Sequence, residues 1–338
     1  MLLIKEINNR EIWEEFLNLT EISFFPLFQS WDWSEIQKKL GLDVLRLGLF
    51  EKDKLVGVCL VTDIKARRGH YLHLRHGPVL LEFKDKYFDF FIKYIKNIAR
   101  ERNAAFIRIS PLIPKDSFEG FFKHRKFINA PIHNMDAETC WVLNLEKTED
   151  ELLKQMRKTH RYLIRKSLSM DIKVIRSKNV SSLDSFLRIY SSTSSRKHFV
   201  PHRGIKEEFE ILVKNDEAIL LLAEYEKKII AGALIVFAGN MAIYHHGASL
   251  DEFKNIPASY LLQWEAIKEA KKRGKTIYNF WGIVPLDQPN HPWKGITLFK
   301  TGFGGERRDF IHAQDLPLSI WYWKSYLIEL YTKWKKGY

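Results

Sequence analysis

Chemistry in this sequence is most directly suggested by Lys300, which lies in Phe299-Lys300-Thr301-Gly302-Phe303-Gly304-Gly305-Glu306. Three glycines within four residues permit positive φ and close backbone approach. A lysine entering such a bend brings in a compact cation, able to stabilise negative charge developing on a reacting carbonyl or to hold a phosphate. A glycine-rich turn with an exposed lysine is the plain structural alternative. A second concentration of charge lies upstream. Thr148 and Glu151 have capping-box spacing and predict one helix running to about Ser169. Leu152, Leu153, Met156, Leu163, Ile164 and Leu168 form its apolar stripe, while Lys154, Arg157, Lys158, Arg161 and Arg165 fall on another face.

Twelve histidines raise the question of a metal, above all His70, His73 and His76. On a strand, residues three apart point to opposite faces, so His73 does not join the other two without a bend, and no metal site is expected there. His245 and His246 are likewise expected to point oppositely. GxGxxG after a strand, GxxxxGK[ST], GxSxG and HExxH are all absent, which removes Rossmann, nucleotide-hydrolase, α/β-hydrolase and zincin readings. Cys59 and Cys140 stand alone in apolar runs, without the spacing of a zinc knuckle or a disulfide framework.

The elements that must position these residues recur in two series. Val44 to Phe50, Leu55 to Ile64 and Tyr71 to Leu74 read as strands, Asp85 to Arg100 as a helix and Ala105 to Ile109 as a strand. Leu220 to Tyr225, Ile229 to Phe237 and Met241 to Ala248, then a helix from Ala258 to Arg273 and a strand from Thr276 to Phe280, repeat that order. The repetition predicts two similar mixed α/β domains within 338 residues. Leu316 to Lys336 predicts a final helix so aromatic that it must bury one face against the domains, its lysines remaining in water; interfacial membrane contact is the functional alternative. The net charge is +13, and residues 1–150 are nearly balanced, with 23 basic against 22 acidic, so almost all the excess lies in the second half. Such a field attracts phosphates, anionic lipid or acidic substrates. No secretory leader and no run of roughly 18 apolar residues occurs, which predicts a cytosolic protein.

Several motifs, taken in order along the chain, resemble the FemAB/FemX family of peptidoglycan bridge-forming aminoacyltransferases. They are Gln29-Ser30-Trp31-Asp32-Trp33, Arg75-His76-Gly77-Pro78, Met156 to Ser167 (MRKTHRYLIRKS), His246-Gly247-Ala248-Ser249 with Pro257 to Glu265 (PASYLLQWE), Phe280 to Ile283 (FWGI), and Phe299 to Glu306 (FKTGFGGE). Because Thr148 to Val174 leaves room for one helix only, the likeness is to the armless, FemX-like branch. The resemblance implies an α/β (mixed α+β) fold of two tandem GNAT-like domains, residues 1–147 and 148–315, with the C-terminal helix of 316–338 returning to the first.

It also implies a reaction. An amino acid would pass from aminoacyl-tRNA to the side-chain amine of a peptidoglycan precursor's stem peptide, the precursor being lipid-linked or UDP-linked. No cofactor and no metal are required. By the same resemblance Lys300 would stabilise the oxyanion or bind the tRNA end. Gln37 stands where the family has a basic residue for the precursor's diphosphate, with Lys38 and Lys39 adjacent. Arg203 would be the second diphosphate contact, and Tyr244 would line the substrate groove. Ser110 replaces an acidic residue before Pro111, so a carboxylate contact to the substrate amine is lost or supplied elsewhere. Lys154, Arg157, Lys158, Arg161 and Arg165 would face the tRNA acceptor stem or anionic headgroups. The resulting expectation is a monomeric cytoplasmic enzyme with peripheral contact at the inner membrane face. Two rival readings are an acyl-CoA-dependent N-acyltransferase, although no good Q/RxxGxG/A turn is present, and a non-catalytic nucleic-acid or membrane-surface binding protein.

Overall fold

Alternating apolar residues and turn signals in the first third of the chain become strands β1 (Leu2–Glu6), β2 (Asp43–Glu51), β3 (Lys54–Ala66), β4 (Gly69–Arg75), β5 (Val79–Leu80), β6 (Phe106–Ser110) and β7 (Ile128–Asn129). Between them run helices α1 (Arg10–Leu19), α2 (Trp31–Lys39), α3 (Asp85–Glu101) and α4 (Phe121–His124). The computed structural model describes residues 1–19, 24–117, 120–134, 136–197, 201–285 and 291–336. These divide into two units, Met1–Thr139 with Val284–His291 and Arg308–Tyr338, and Cys140–Ile283 with Pro292–Arg307. In the first, β2 and β3 form an antiparallel hairpin, and α3 carries the chain over from β4 to the parallel β6. Phe88, Phe91, Ile92 and Ile95, spaced for one helical face, seat α3 on the core.

The second unit is built on the same plan from β8 (Thr139–Asn144), α5 (Glu149–Gln155), α6 (Lys158–Ser169), β9 (Lys173–Ser177), α7 (Val180–Lys197), α8 (Ile205–Lys214), β10 (Ala218–Tyr225), β11 (Lys228–Ala238), β12 (Met241–Ser249), α9 (Ala258–Lys272), β13 (Ile277–Gly282), α10 (Lys294–Thr301) and β14 (Glu306–Asp309). Its sheet has the order β14-β8-β13-β12-β11-β10-β9. The chain then returns to the first unit as β15 (Gln314–Pro317) and α11 (Trp321–Lys336), giving that sheet the order β1-β2-β3-β4-β6-β15-β7 with β5 paired to β3. Two tandem mixed α/β domains with a returning C-terminal helix are therefore the architecture.

Two expectations are corrected here. The helix read from Thr148 to about Ser169 is two helices, interrupted where Met156 and Arg157 take extended backbone conformations. The capping box at Thr148 forms, but the Arg157 amide donates to Gly302 O at 2.9 Å instead of continuing α5. The five basic residues therefore do not share a helix face: Lys154 ends α5, Arg157 caps α6, and Lys158, Arg161 and Arg165 follow on α6. The final helix starts at Trp321, because Leu316 and Pro317 are drawn into β15 between β6 and β7.

What holds α11 is a small aromatic cluster, in which Tyr322 packs on Phe106 at 5.1 Å, together with a buried polar network. Arg108, at 1% exposure on β6, donates Nε and Nη2 to the two oxygens of Asp315 at 2.7 Å each, and Nη1 and Nη2 to those of Glu329 at 3.1 and 2.7 Å. The Tyr322 hydroxyl donates to Asp315 at 3.2 Å. Tyr322, Ser325 and Glu329 are thus the buried side of α11, and its aromatic residues other than Tyr322 and the half-buried Tyr326 are exposed. The helix does bury one face, as expected, but only Tyr322 and Tyr326 of its aromatic residues lie on that side, because the buried guanidinium needs carboxylates and these help choose the face.

Removing one partner of such a cluster strands buried charge. Arg108→Ala is expected to destabilise the protein by about 3–5 kcal/mol, read from urea unfolding midpoints. The triple variant Arg108→Met/Asp315→Leu/Glu329→Leu should recover most of that loss; recovery no better than for Arg108→Ala alone would show that charge pairing is not the source.

Candidate active site

The second unit contains an opening in its sheet. Strands β12 and β13 pair in parallel only at Met241–Ile277, Ala242–Tyr278 and Ile243–Asn279. The equivalent pair of the first unit, β4 and β6, stays paired over five positions, from Tyr71–Phe106 to Arg75–Ser110. Beyond Ile243 and Asn279 the two strands separate, which leaves backbone groups for another partner. At the split, Asn279 Oδ1 accepts from the Trp281 amide at 2.8 Å and holds Trp281 at φ 65°, while the buried Asn279 Nδ2 has no hydrogen-bond partner among the described residues. A positive φ on a bulky residue and an unmatched buried donor are both marks of a site shaped for something other than stability.

Just past the split, β12 bulges. Leu234 pairs with His246 and Ile235 with Tyr244, so His245 is the extra residue. The bulge corrects the expectation that His245 and His246 point oppositely: both rings turn to the buried Glu208 of α8. Glu208 accepts from His246 Nε2 at 3.1 Å and from His202 Nε2 at 2.6 Å, and His245 Nε2 lies 3.2 Å away. Burial would raise the Glu208 pKa, but the three imidazoles hold it well below the usual carboxylate range. Burial lowers His246 to about 4, so a neutral ring serves the carboxylate as donor. Donor atoms of His202, Glu208 and His246 lie within 4.8 Å of one another, a set that could also take a divalent ion. Sequence reasoning missed this cluster because its members lie on a loop, a helix and a bulge.

Three of the residues singled out above lie on segments that adjoin the cluster. Tyr244 precedes the bulge; burial pushes its hydroxyl up to about 12, and that hydroxyl fills the space a Cβ at Gly247 would need, 1.7 Å from it. Arg203 follows His202 and is exposed at the start of α8. His245 meets Trp281 edge to face at 5.6 Å, and the next residue, Gly282, accepts a 2.6 Å hydrogen bond from Lys300 Nζ through its carbonyl. Lys300 is thus not the exposed lysine of the structural alternative. It lies in the last turn of α10 with 6% exposure, and burial brings its amine down to about 7.

The glycines after Lys300 make this placement possible. A Cβ on Gly302 would lie 1.9 Å from the His160 ring, and one on Gly305, at φ +94°, would lie 2.2 Å from Val142 O. His160 donates through Nε2 to Phe299 O at 2.9 Å and stands edge to face against Tyr260 and Phe303. The MRKTHRYLIRKS, PASYLLQWE and FKTGFGGE motifs are therefore one packing unit.

Of the basic residues on α5 and α6, two are engaged. Arg157 donates to Leu298 O at 3.3 Å and to Thr301 Oγ1 at 3.0 Å, closing the end of α10. Arg161 donates to Lys154 O at 3.2 Å and also to Met156 O, closing the end of α5. Lys154, Lys158 and Arg165 are exposed, and Lys154, Arg161 and Arg165 border an open cleft of about 420 Å³ with Asp150 and Leu153.

In the first unit, Gln37 is buried in α2, whereas Lys38 and Lys39 are exposed in its last turn, Lys38 lying 3.4 Å from Glu35. A carboxylate does stand beside Ser110: Asp136 Oδ2 accepts from its hydroxyl at 2.6 Å, and Asp136 Oδ1 accepts from Arg75 Nε at 2.8 Å. His73 and His76, expected on opposite faces, both approach Asp136. His76 Nε2 donates to its carbonyl at 2.9 Å, and a φ of 57° at His76 supplies the bend. Burial would raise the Asp136 pKa; Arg75 and His73 hold it below the ordinary value.

This architecture is that of tandem GNAT-like proteins. A tandem GNAT protein from the clavulanic acid biosynthesis pathway matches with a TM-score of 0.62 at 8% identity, over 94% of this chain and 98% of that one. The crystal structure of FemX matches with a TM-score of 0.82 at 18% identity, over 97% and 100%. The FemAB family model matches residues 12–132, 122–206 and 202–328, and the chain belongs to the FemAB family. Among curated relatives, the lipid II:glycine glycyltransferase of Staphylococcus epidermidis is 21% identical over 352 residues, covering 82% of this chain and 84% of the relative. That of Staphylococcus aureus is 30% identical over 98 residues, 28% of this chain and 23% of the relative.

Two glycines near Lys300 differ in what surrounds them. Gly302→Ala must displace His160 and should destabilise by about 1–3 kcal/mol. Gly295→Ala, with nothing within 4 Å of the added carbon inside α10, should be neutral or stabilising by up to about 1 kcal/mol. Thermal melts of both variants check this; equal effects would show that close packing at 302 is not what requires glycine.

Proposed function

We propose that the protein is an aminoacyltransferase that moves an amino acid from the ester of an aminoacyl-tRNA to a side-chain amine of a peptidoglycan precursor. The observation that carries the reading is the burial of Lys300: an amine that, among the described residues, has no carboxylate beside it and is held by one carbonyl next to a split in a sheet. A structural lysine normally keeps its ammonium in water. Membership of the FemAB family, and relatives named lipid II:glycine glycyltransferase, support the substrate class.

The chemistry asks for such a group. An alkyl amine of pKa about 10.4 is mostly protonated at pH 7, which costs ~4–5 kcal/mol to undo. A lysine brought down to about 7 is a base matched to that pH. As the acceptor nitrogen forms its bond to the ester carbon, its proton passes to Lys300. The ammonium so formed faces the carbonyl oxygen, which now carries negative charge, and attraction in a water-poor site is strong. Collapse breaks the ester C–O bond, and the proton leaves with the ribose hydroxyl. Arg203 offers an exposed cation to the precursor's diphosphate and Tyr244 lines the groove of the second unit; Lys38 and Lys39 are exposed on the first unit. Lys154, Lys158 and Arg165 offer exposed charge to the tRNA backbone, while Arg157 and Arg161 serve the protein's own helix ends.

Incubation with charged tRNAs and both UDP-linked and lipid-linked precursors, followed by mass measurement, should register one added aminoacyl residue on the precursor; addition from acetyl-CoA instead would sink the reading. Lys300→Met should lose at least 100-fold in kcat/KM, in the range seen when a preorganised charge or base is removed, while melting within a few degrees of the parent. The kcat/KM of the parent should rise with pH through about 7 as Lys300 loses its proton. A fall through that range would mean that the ammonium, not the free amine, is the form required at the outset.

A further inference from the structure

The buried side of α11 is settled by Arg108 together with the aromatic cluster, and the consequence is a helix whose outer side is apolar. Trp323, Leu327, Leu330, Tyr331 and Trp334 follow at spacings of four, three, one and three residues, which places them on one stripe. Their exposures are high: 50% for Trp323, 63% for Leu327, 60% for Tyr331 and 75% for Trp334. Ile320, just before the helix, is 80% exposed. Soluble proteins rarely leave contiguous apolar side chains of this kind in water without a partner for them.

The charges beside the stripe identify the partner. Lys324 and Lys335 are exposed along its edge, and the only acid of α11, Glu329, is buried against Arg108. The exposed charge of the helix is therefore all positive, on a chain of net charge +13. Tryptophan and tyrosine with aliphatic residues between them, bordered by lysines, match the depth profile of a bilayer surface: rings at the headgroup level, ammonium groups at the phosphates. Sixteen residues span about 24 Å at 1.5 Å each, and among the described residues no helix is long and apolar enough to cross a membrane, so the helix lies along the surface.

We propose that the exposed face of α11 docks the protein on an anionic phospholipid surface. The binding rests on the helix alone; its use rests on the proposed function, since it would bring the enzyme to a lipid-borne acceptor. The two are separable, because vesicle binding is measured without turnover and transfer can be assayed on a soluble UDP-linked precursor.

Purified full-length protein should sediment with vesicles of equimolar phosphatidylcholine and phosphatidylglycerol, less with phosphatidylcholine alone, and less again as salt is raised. Brominated acyl chains should quench its tryptophan emission. Trp323→Ser/Leu327→Ser/Trp334→Ser should weaken that binding at least tenfold while keeping the parent's melting temperature and its transfer to a soluble acceptor. The proposal is overturned if the parent stays in the supernatant with both vesicles, if it binds both equally, or if the variant binds like the parent. It is also overturned if sedimentation equilibrium finds a dimer that the triple variant abolishes, which would make a second copy of the chain the occupant of the face.

Discussion

The site depends on a parallel strand pair that stops after three positions. In an intact sheet β12 and β13 would satisfy each other's backbone groups along their whole length. Here they part after Ile243 and Asn279, and each departure needs its own support. On β13 the support is Asn279 holding the Trp281 amide; on β12 it is the bulge at His245, fixed by Glu208. Gly282, one residue past Trp281, then presents its carbonyl to Lys300. Without the split, Lys300 would have neither its acceptor nor a reason to be buried.

The two units treat the same plan differently. In the first, most polar groups near the end of the parallel pair are matched internally, Asp136 with Arg75 and Ser110, Arg108 with Asp315 and Glu329, while the buried His73 Nε2 has no hydrogen-bond partner among the described residues. In the second, among the described residues, the amine of Lys300 is met by one carbonyl and Asn279 keeps a buried donor over. Satisfied polar networks rigidify; unsatisfied ones are where a ligand can add interactions.

Much of the fold was legible because its signals are local. The periodicity of Phe88, Phe91, Ile92 and Ile95 marks α3, glycine ends α9 at Gly274, and Thr148 with Glu151 starts α5. The glycines after Lys300 marked a close backbone approach, though not the burial of its side chain. The misses all come from partners distant in sequence. The apolar stripe continues through Met156, yet the helix breaks there because Gly302 O is available to Arg157. Leu316 and Pro317 read as a helix start, and only β6 and β7 make them a strand. The convergence of His202, His245 and His246 on Glu208 needs a single bulged residue, which leaves no trace in composition or period.

The return of the chain to its first unit has a consequence for synthesis on the ribosome. β15 lies between β6 and β7, and Asp315 and Glu329 are the counter-charges of Arg108, which is emitted some two hundred residues before them. Until those late residues emerge, the earlier sheet has a gap where β15 belongs and an arginine without its carboxylates. The second unit, Cys140–Ile283 with Pro292–Arg307, is complete in sequence before Asp315 and Glu329 appear. The half of the protein that is translated first is therefore the half that finishes folding last, and its incomplete edge is the surface that most needs shielding from other nascent chains.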